Sequence, residues 1–131
     1  MMANIRSFKE LTVWQDAMST AMDIPTISKG FPLEEKYSLT DQIRRSSRSV
    51  ATNIAEAWRK RRYEAAFRSK LNDCEAEACE TQTWVELALR CGYLDQEAAA
   101  RLDQRYEHIL GKLVIMTKDS KKWSLPPRSD P

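Results

Sequence analysis

The feature that most limits the fold of this chain is an apolar rhythm of three- and four-residue steps, interrupted only by isolated glycine and proline signals. Leu39, Ile43, Ser47, Val50, Ile54 and Ala57 or Trp58 form one apolar-to-small stripe. Phe67, Leu71, Cys74, Ala78, Thr81, Val85 and Ala88 form a second, and Leu102, Tyr106, Ile109, Leu113 and Met116 a third. Leu11, Trp14, Met18, Ala21 and Met22 supply a fourth. These steps follow the helical turn of about 3.6 residues, whereas a half-buried strand would alternate every second residue. Four helices, each with one stripe to bury, predict an all-α, antiparallel up-down four-helix bundle, because short connections make sequential helices neighbours.

Local signals mark the ends. Ser7-Phe8-Lys9-Glu10 has the spacing of a capping box, so the first helix is expected to start there. Pro25 either ends or kinks it, and Lys29-Gly30-Phe31-Pro32 closes the segment. The second helix is expected from about Leu33 to Lys60, with Pro32 in its first turn and Glu34 and Glu35 at the positive end of the macrodipole. The third restarts near Tyr63-Glu64 and stops at Gly92. The fourth is capped by Asp95 and runs to about Trp123. Residues 1–123 then make one bundle and 124–131 a proline-containing tail. A chain of 131 residues needs no second domain.

An odd number of cysteines, three, with no C-x-x-C pair, suits a reducing compartment and predicts a cytoplasmic protein. The opening Met1-Met2-Ala3-Asn4-Ile5-Arg6 lacks the apolar core of a signal peptide, and no stretch is apolar enough to predict a membrane span.

The residue inventory argues against an enzyme. The lone histidine, His108, lacks the positioned partners that acid–base chemistry requires. A di-iron Glu-x-x-His motif fails because Arg105 stands where the glutamate belongs. Cys74, Cys79 and Cys91 are spaced wrongly for a tetrahedral metal cluster. The acids of the third helix, Glu64, Asp73, Glu75, Glu77, Glu80 and Glu86, are read as a solvated face. Gly30, Gly92 and Gly111 are too far apart for a phosphate loop. No catalytic residue, metal or cofactor is expected.

Charge is distributed unevenly. Pro32 to Arg62 holds eight Lys or Arg against four acids, whereas Tyr63 to Gly92 holds three against six. On a helical wheel, Arg44, Arg48, Ala51, Ala55, Arg59 and Arg62 fall in one band beside the apolar seam, and the run Arg59-Lys60-Arg61-Arg62 ends it. Such a stripe fits phosphates, whose neutralisation releases counterions; arginine's planar fork suits the contact. The competing reading is a solvated face whose last cations complement the helix dipole. A second face, Arg45, Ser49, Thr52, Asn53 and Glu56, is small and polar. Serine and threonine are mediocre helix formers, so self-association through this face, an oligomer interface, is the sharper reading and plain solvation the other. Trp14, Trp58, Trp84 and Trp123 read as packing anchors, with Trp58 also a candidate base-stacking surface.

Three segments carry a family resemblance: Phe8 to Trp14 (FKELTVW), Phe31 to Arg45 (FPLEEKYSLTDQIRR) and Ser49 to Glu56 (SVATNIAE). Across about Phe8 to Leu94 the chain resembles the bacterial four-helix-bundle proteins named for the intervening sequence of 23S ribosomal RNA, relatives of accessory proteins of diversity-generating retroelements. It departs from their pattern at Ala57, where glycine is usual, and at Pro25, where many relatives continue the helix. The resemblance implies a ring-shaped homo-oligomer, a pentamer, with Arg45, Asn53 and Glu56 at the subunit interface and Arg44 and Arg48 on a positive surface. The resulting expectation is a non-enzymatic oligomer that binds RNA or DNA, structured RNA foremost, through Arg44, Arg48, Arg59, Lys60, Arg61 and Arg62. Its alternative is an oligomeric scaffold for a protein partner.

Overall fold

The computed structural model describes residues 5–126, so Met1–Asn4 and residues 127–131 of the expected tail lie outside it. Among the described residues there is no strand. The Ser7 hydroxyl accepts from the Lys9 N–H, and Glu10 Oε2 accepts from the Ser7 N–H at 2.9 Å. That capping box organises a single 3₁₀ turn, Phe8–Glu10, and α1 proper follows as Thr12–Ser28. Pro25 lies inside α1 and does not end it. The hydrogen bond that its ring removes is local, whereas the turn beyond it is held from outside. Arg44 Nε donates to Ser28 Oγ at 3.0 Å, and its guanidinium reaches the Pro25 carbonyl at 3.5 Å.

The second helix occupies the expected span, but its first two turns are irregular. A 3₁₀ turn, Leu33–Glu35, passes into a π-helical turn, Lys36–Thr40, before regular α2, Asp41–Arg59. Helix α3 is Glu64–Arg90. It ends with Gly92 at φ +80°, the Tyr93 N–H bonded to the Ala88 carbonyl at 2.8 Å and the Gly92 N–H to that of Leu89 at 3.0 Å. These two bonds make a Schellman stop, with glycine in the left-handed conformation. Asp95 caps α4, Gln96–Lys118, by accepting from the Ala98 N–H at 2.7 Å. A break at Asp119 leads into the short α5, Ser120–Trp123.

Helix α2 packs against α1 and α3, and α4 closes the bundle against α3 and α1. The core has two apolar halves. One is built around Val50, Ile54, Phe67, Leu71, Ile109 and Leu113, the other around Ile24, Ile43, Val85 and Leu102. Between them lies a layer of buried hydroxyls: Thr20 of α1, Ser46 and Ser47 of α2, and Thr81 of α3. Thr81 Oγ1 is 2.8 Å from Ser46 Oγ and 2.9 Å from the Glu77 carbonyl. Tyr106 of α4 brings its phenol to this layer beside Ser47 and Thr81, and burial holds its pKa well above the ordinary value. Of these groups Thr81 and Ser46 bond across helices, which favours one vertical register of α2 against α3, while Thr20 and Ser47 bond within their own helices and the Tyr106 hydroxyl is left without a partner among the described residues.

Helix α1 shows a second difference. Its core-facing residues are Val13, Ala17, Thr20, Ala21, Ile24 and Ser28. Met18 and Met22 of the expected stripe point outward, Met22 being 70% exposed. Helix α1 therefore has two apolar faces, and the periodicity locates the outer as readily as the inner.

Candidate nucleic-acid interface

The expected cationic band on α2 is not continuous. Arg44, half-buried, is turned under the end of α1 by its bonds to Ser28 and Pro25, and Ala51 is buried in the core. Arg48, Arg59, Lys60 and Arg62 are exposed. Among the described residues their side chains meet no carboxylate within ion-pair distance.

Arg61 serves a different purpose from its neighbours. Its guanidinium carbon sits 3.4 Å from the centre of the Trp58 ring, and its nitrogens donate to the carbonyls of Trp58 at 2.9 Å and Trp123 at 3.5 Å. The Leu125 N–H returns a bond to the Arg61 carbonyl at 3.0 Å, so the first tail residues are fastened to the α2–α3 turn. Burial, then the neighbouring charge of Arg59, lowers the Arg61 pKa. Trp58 is 7% exposed beneath that guanidinium, so it packs in the core and presents no open face to a base.

The small polar face splits as well. Arg45 pairs with Glu77 and Glu80 of α3, and Glu56 with Lys70 at 3.5 Å, so these two residues clamp α2 to α3. The acids of α3 are therefore partly spent within the bundle. Ser49, Thr52 and Asn53 line a shallow polar hollow with Asp41, Arg44 and Arg48. Beside it runs an apolar groove of about 560 Å³ between α1 and α2, lined by Trp14, Met18, Met22, Pro25, Ala51 and Ala55. Thr52 and Arg48 border both. The outward methionines of α1 thus form one wall of this groove, with Ala51 and Ala55 of α2 in the other.

On the opposite side, α1 and α4 are joined by a ladder of polar contacts. Lys112 Nζ lies 2.6 Å from Asp16, Arg105 lies 2.6 Å from Asp23, and His108 Nε2 is 3.6 Å from the same Asp16 carboxylate. These groups satisfy one another across the bundle's thinnest contact. Cys74 is buried whereas Cys79 and Cys91 are exposed, and all three are free thiols. Among the described residues no three His, Cys, Asp or Glu side chains converge as metal ligands would, and no helix is long and apolar enough to cross a membrane.

Fold and surface together define a class: an antiparallel four-helix bundle with an open apolar groove on one flank and exposed cations that, among the described residues, have no ion-pair partner. The profile of the 23S rRNA-intervening sequence protein family matches residues 9–114, and the chain belongs to that family. Among solved structures it is similar to a protein of unknown function from the S23 ribosomal protein family of Bacteroides thetaiotaomicron VPI-5482. The two are 30% identical with a TM-score of 0.73, over 82% of this chain and 96% of that one. No curated protein matches the chain.

Proposed function

We propose that this protein is a non-enzymatic, oligomeric helical module of the cytoplasm that binds nucleic acid, structured RNA foremost, through phosphate contacts. The observation that carries the reading is the set of exposed cations Arg48, Arg59, Lys60 and Arg62, which have no ion-pair partner among the described residues, while acids of α3 are neutralised within the bundle. Exposed arginines without carboxylate partners are free to exchange counterions for phosphates. Three free thiols agree with a reducing cytoplasm. Oligomerisation would repeat each weak site around a ring, so that avidity adds to affinity.

The test is the affinity for a structured RNA across a salt series, with a variant carrying Arg48→Ala, Arg59→Ala and Arg62→Ala. Loss of three phosphate contacts is expected to lower the slope of log K against log salt by about 3 with duplex RNA taken as B-DNA, at unchanged helicity. An unchanged slope would sink the reading. A scaffold for a protein partner is the second reading, and the groove between α1 and α2 favours it, because an apolar face rimmed by polar residues is how protein contacts are built.

A further inference from the structure

Antiparallel topology brings a second basic segment beside the first. The C-terminal end of α4 lies against the start of α3, where Arg68 donates to the Thr117 carbonyl at 2.7 Å and Ser120 Oγ donates to Glu64 at 2.7 Å. The bonds of Arg61 to Trp123 and Leu125 fasten α5 and the residues after it to the α2–α3 turn. Residues 5–10, 59–64 and 118–122, remote in sequence, therefore occupy one end of the bundle, with nine Lys or Arg against three carboxylates, Glu10, Glu64 and Asp119. Residues 29–41 and 90–101 form the other end, with four against five. Lys118, Lys121 and Lys122 are exposed, and among the described residues only Lys122 has an acid within reach, Asp119 at 3.8 Å.

An aromatic ring stands among these cations. Tyr63, between Arg62 and Glu64, is 66% exposed and has extended backbone at the entrance to α3. Unlike Trp58, whose face Arg61 covers, Tyr63 has no stacking or cation partner among the described residues. Cations that track a backbone beside an open aromatic ring are the arrangement that holds unpaired nucleotides, since every base has a face to stack.

We propose that this end of the bundle binds an unpaired nucleic-acid strand, with Lys118, Lys121 and Lys122 as a second arm facing Arg59, Lys60 and Arg62 across the phosphates and Tyr63 as the stacking platform for a base. The proposal rests on the nucleic-acid reading above and narrows it, from the flank of α2 to one pole and from RNA in general to its unpaired segments. Arg61 is a positioning residue: it holds the two arms together through Trp58, Trp123 and Leu125 and leaves the phosphates to its neighbours.

The experiment measures binding of the full chain to an oligouridine and to an RNA duplex of equal length, by fluorescence anisotropy across a salt series. A Lys118→Ala/Lys121→Ala/Lys122→Ala variant is expected to lower the salt slope for oligouridine by about 2. Tyr63→Ala is expected to weaken oligouridine binding about 5- to 150-fold at every salt concentration with the slope unchanged, Tyr63→Phe to restore it, and duplex binding to move little. Both sites are exposed, and thermal melts check that the variants fold. If wild type binds oligouridine and neither variant differs from it, the pole is refuted while the nucleic-acid reading stands. If wild type binds neither RNA at low salt, both fall; capture by anionic vesicles, lost in the lysine variant, would then assign the pole to membrane surfaces.

Discussion

Cys74 shows how position in a helix decides the chemistry of a residue. It lies on the inner face of α3 with no exposed surface, and burial, partly offset by the nearby Lys70 charge, pushes its thiol up to about 12. Folding thus favours the protonated form. Below the ordinary value of 9.0 this costs nothing; as pH rises from 9.0 toward 12, the unfolded chain gives up the proton and the folded chain does not, so stability declines across that window. Cys79 and Cys91 are exposed. A disulfide-exchange reagent at neutral pH is expected to titrate two thiols in the native protein and three in denaturant, and Cys74 should react only at the rate of unfolding. Rapid modification of all three would mean that the α3 seam opens locally. Burial of Cys74 follows from sequence period, because it falls in step with Leu71 and Ala78. The fate of Arg61 does so only in part: its cover of Trp58 is a contact three residues away, whereas its bond to the Trp123 carbonyl depends on how α5 returns to the α2–α3 turn.

At the scale of elements, the strongest contrast is between two glycines. Gly92 has φ +80° and completes the stop of α3, whereas Gly111 sits inside α4 with nothing within 4 Å of where a Cβ would stand. The same substitution should therefore act in opposite directions. Gly92→Ala is expected to cost about 1–2 kcal/mol, since a left-handed backbone crowds the Cβ. Gly111→Ala should stabilise by roughly 0.5–1 kcal/mol through helix propensity. Urea unfolding midpoints of the two variants check the pair, and a shift of both in one direction would contradict the assignment. These ends were legible because caps are local: Asp95 reaches only Ala98, and the Gly92 stop engages only Ala88 and Leu89. The course of α1 through Pro25 was not legible, because Arg44, 19 residues onward, holds the turn beyond it. The π-helical turn Lys36–Thr40 likewise leaves no mark in the apolar spacing, since Leu39 and Ile43 keep their four-residue step.

For the whole molecule, the informative surfaces are those that the single chain leaves unfinished. The bundle topology follows from four stripes and short connections, and it already implies that the ends of α2 and α4 meet. The position of the groove does not follow, because Met18 and Met22 continue an apolar period that serves equally for either face of α1. The consequence is concrete. If the chain assembles with itself as proposed, a groove of about 560 Å³ flanked by Trp14, Met18 and Met22, with Thr52 and Arg48 on its rim, is the surface on which a second copy is expected to pack. Met22 makes the cleanest probe, because its side chain is 70% exposed and a charge there should leave the monomer's own core intact. Light scattering is expected to give wild type a mass that is a multiple of 15.2 kDa, fivefold in the proposed ring, and to give Met22→Glu 15.2 kDa with unchanged helicity. A carboxylate carried into an apolar contact loses its hydration, and in a ring that cost recurs at every interface. If wild type itself scatters as 15.2 kDa, the ring fails and the groove awaits a different protein. If Met22→Glu assembles like wild type, the subunits meet elsewhere, and the polar hollow of Ser49, Thr52 and Asn53 becomes the surface to change next.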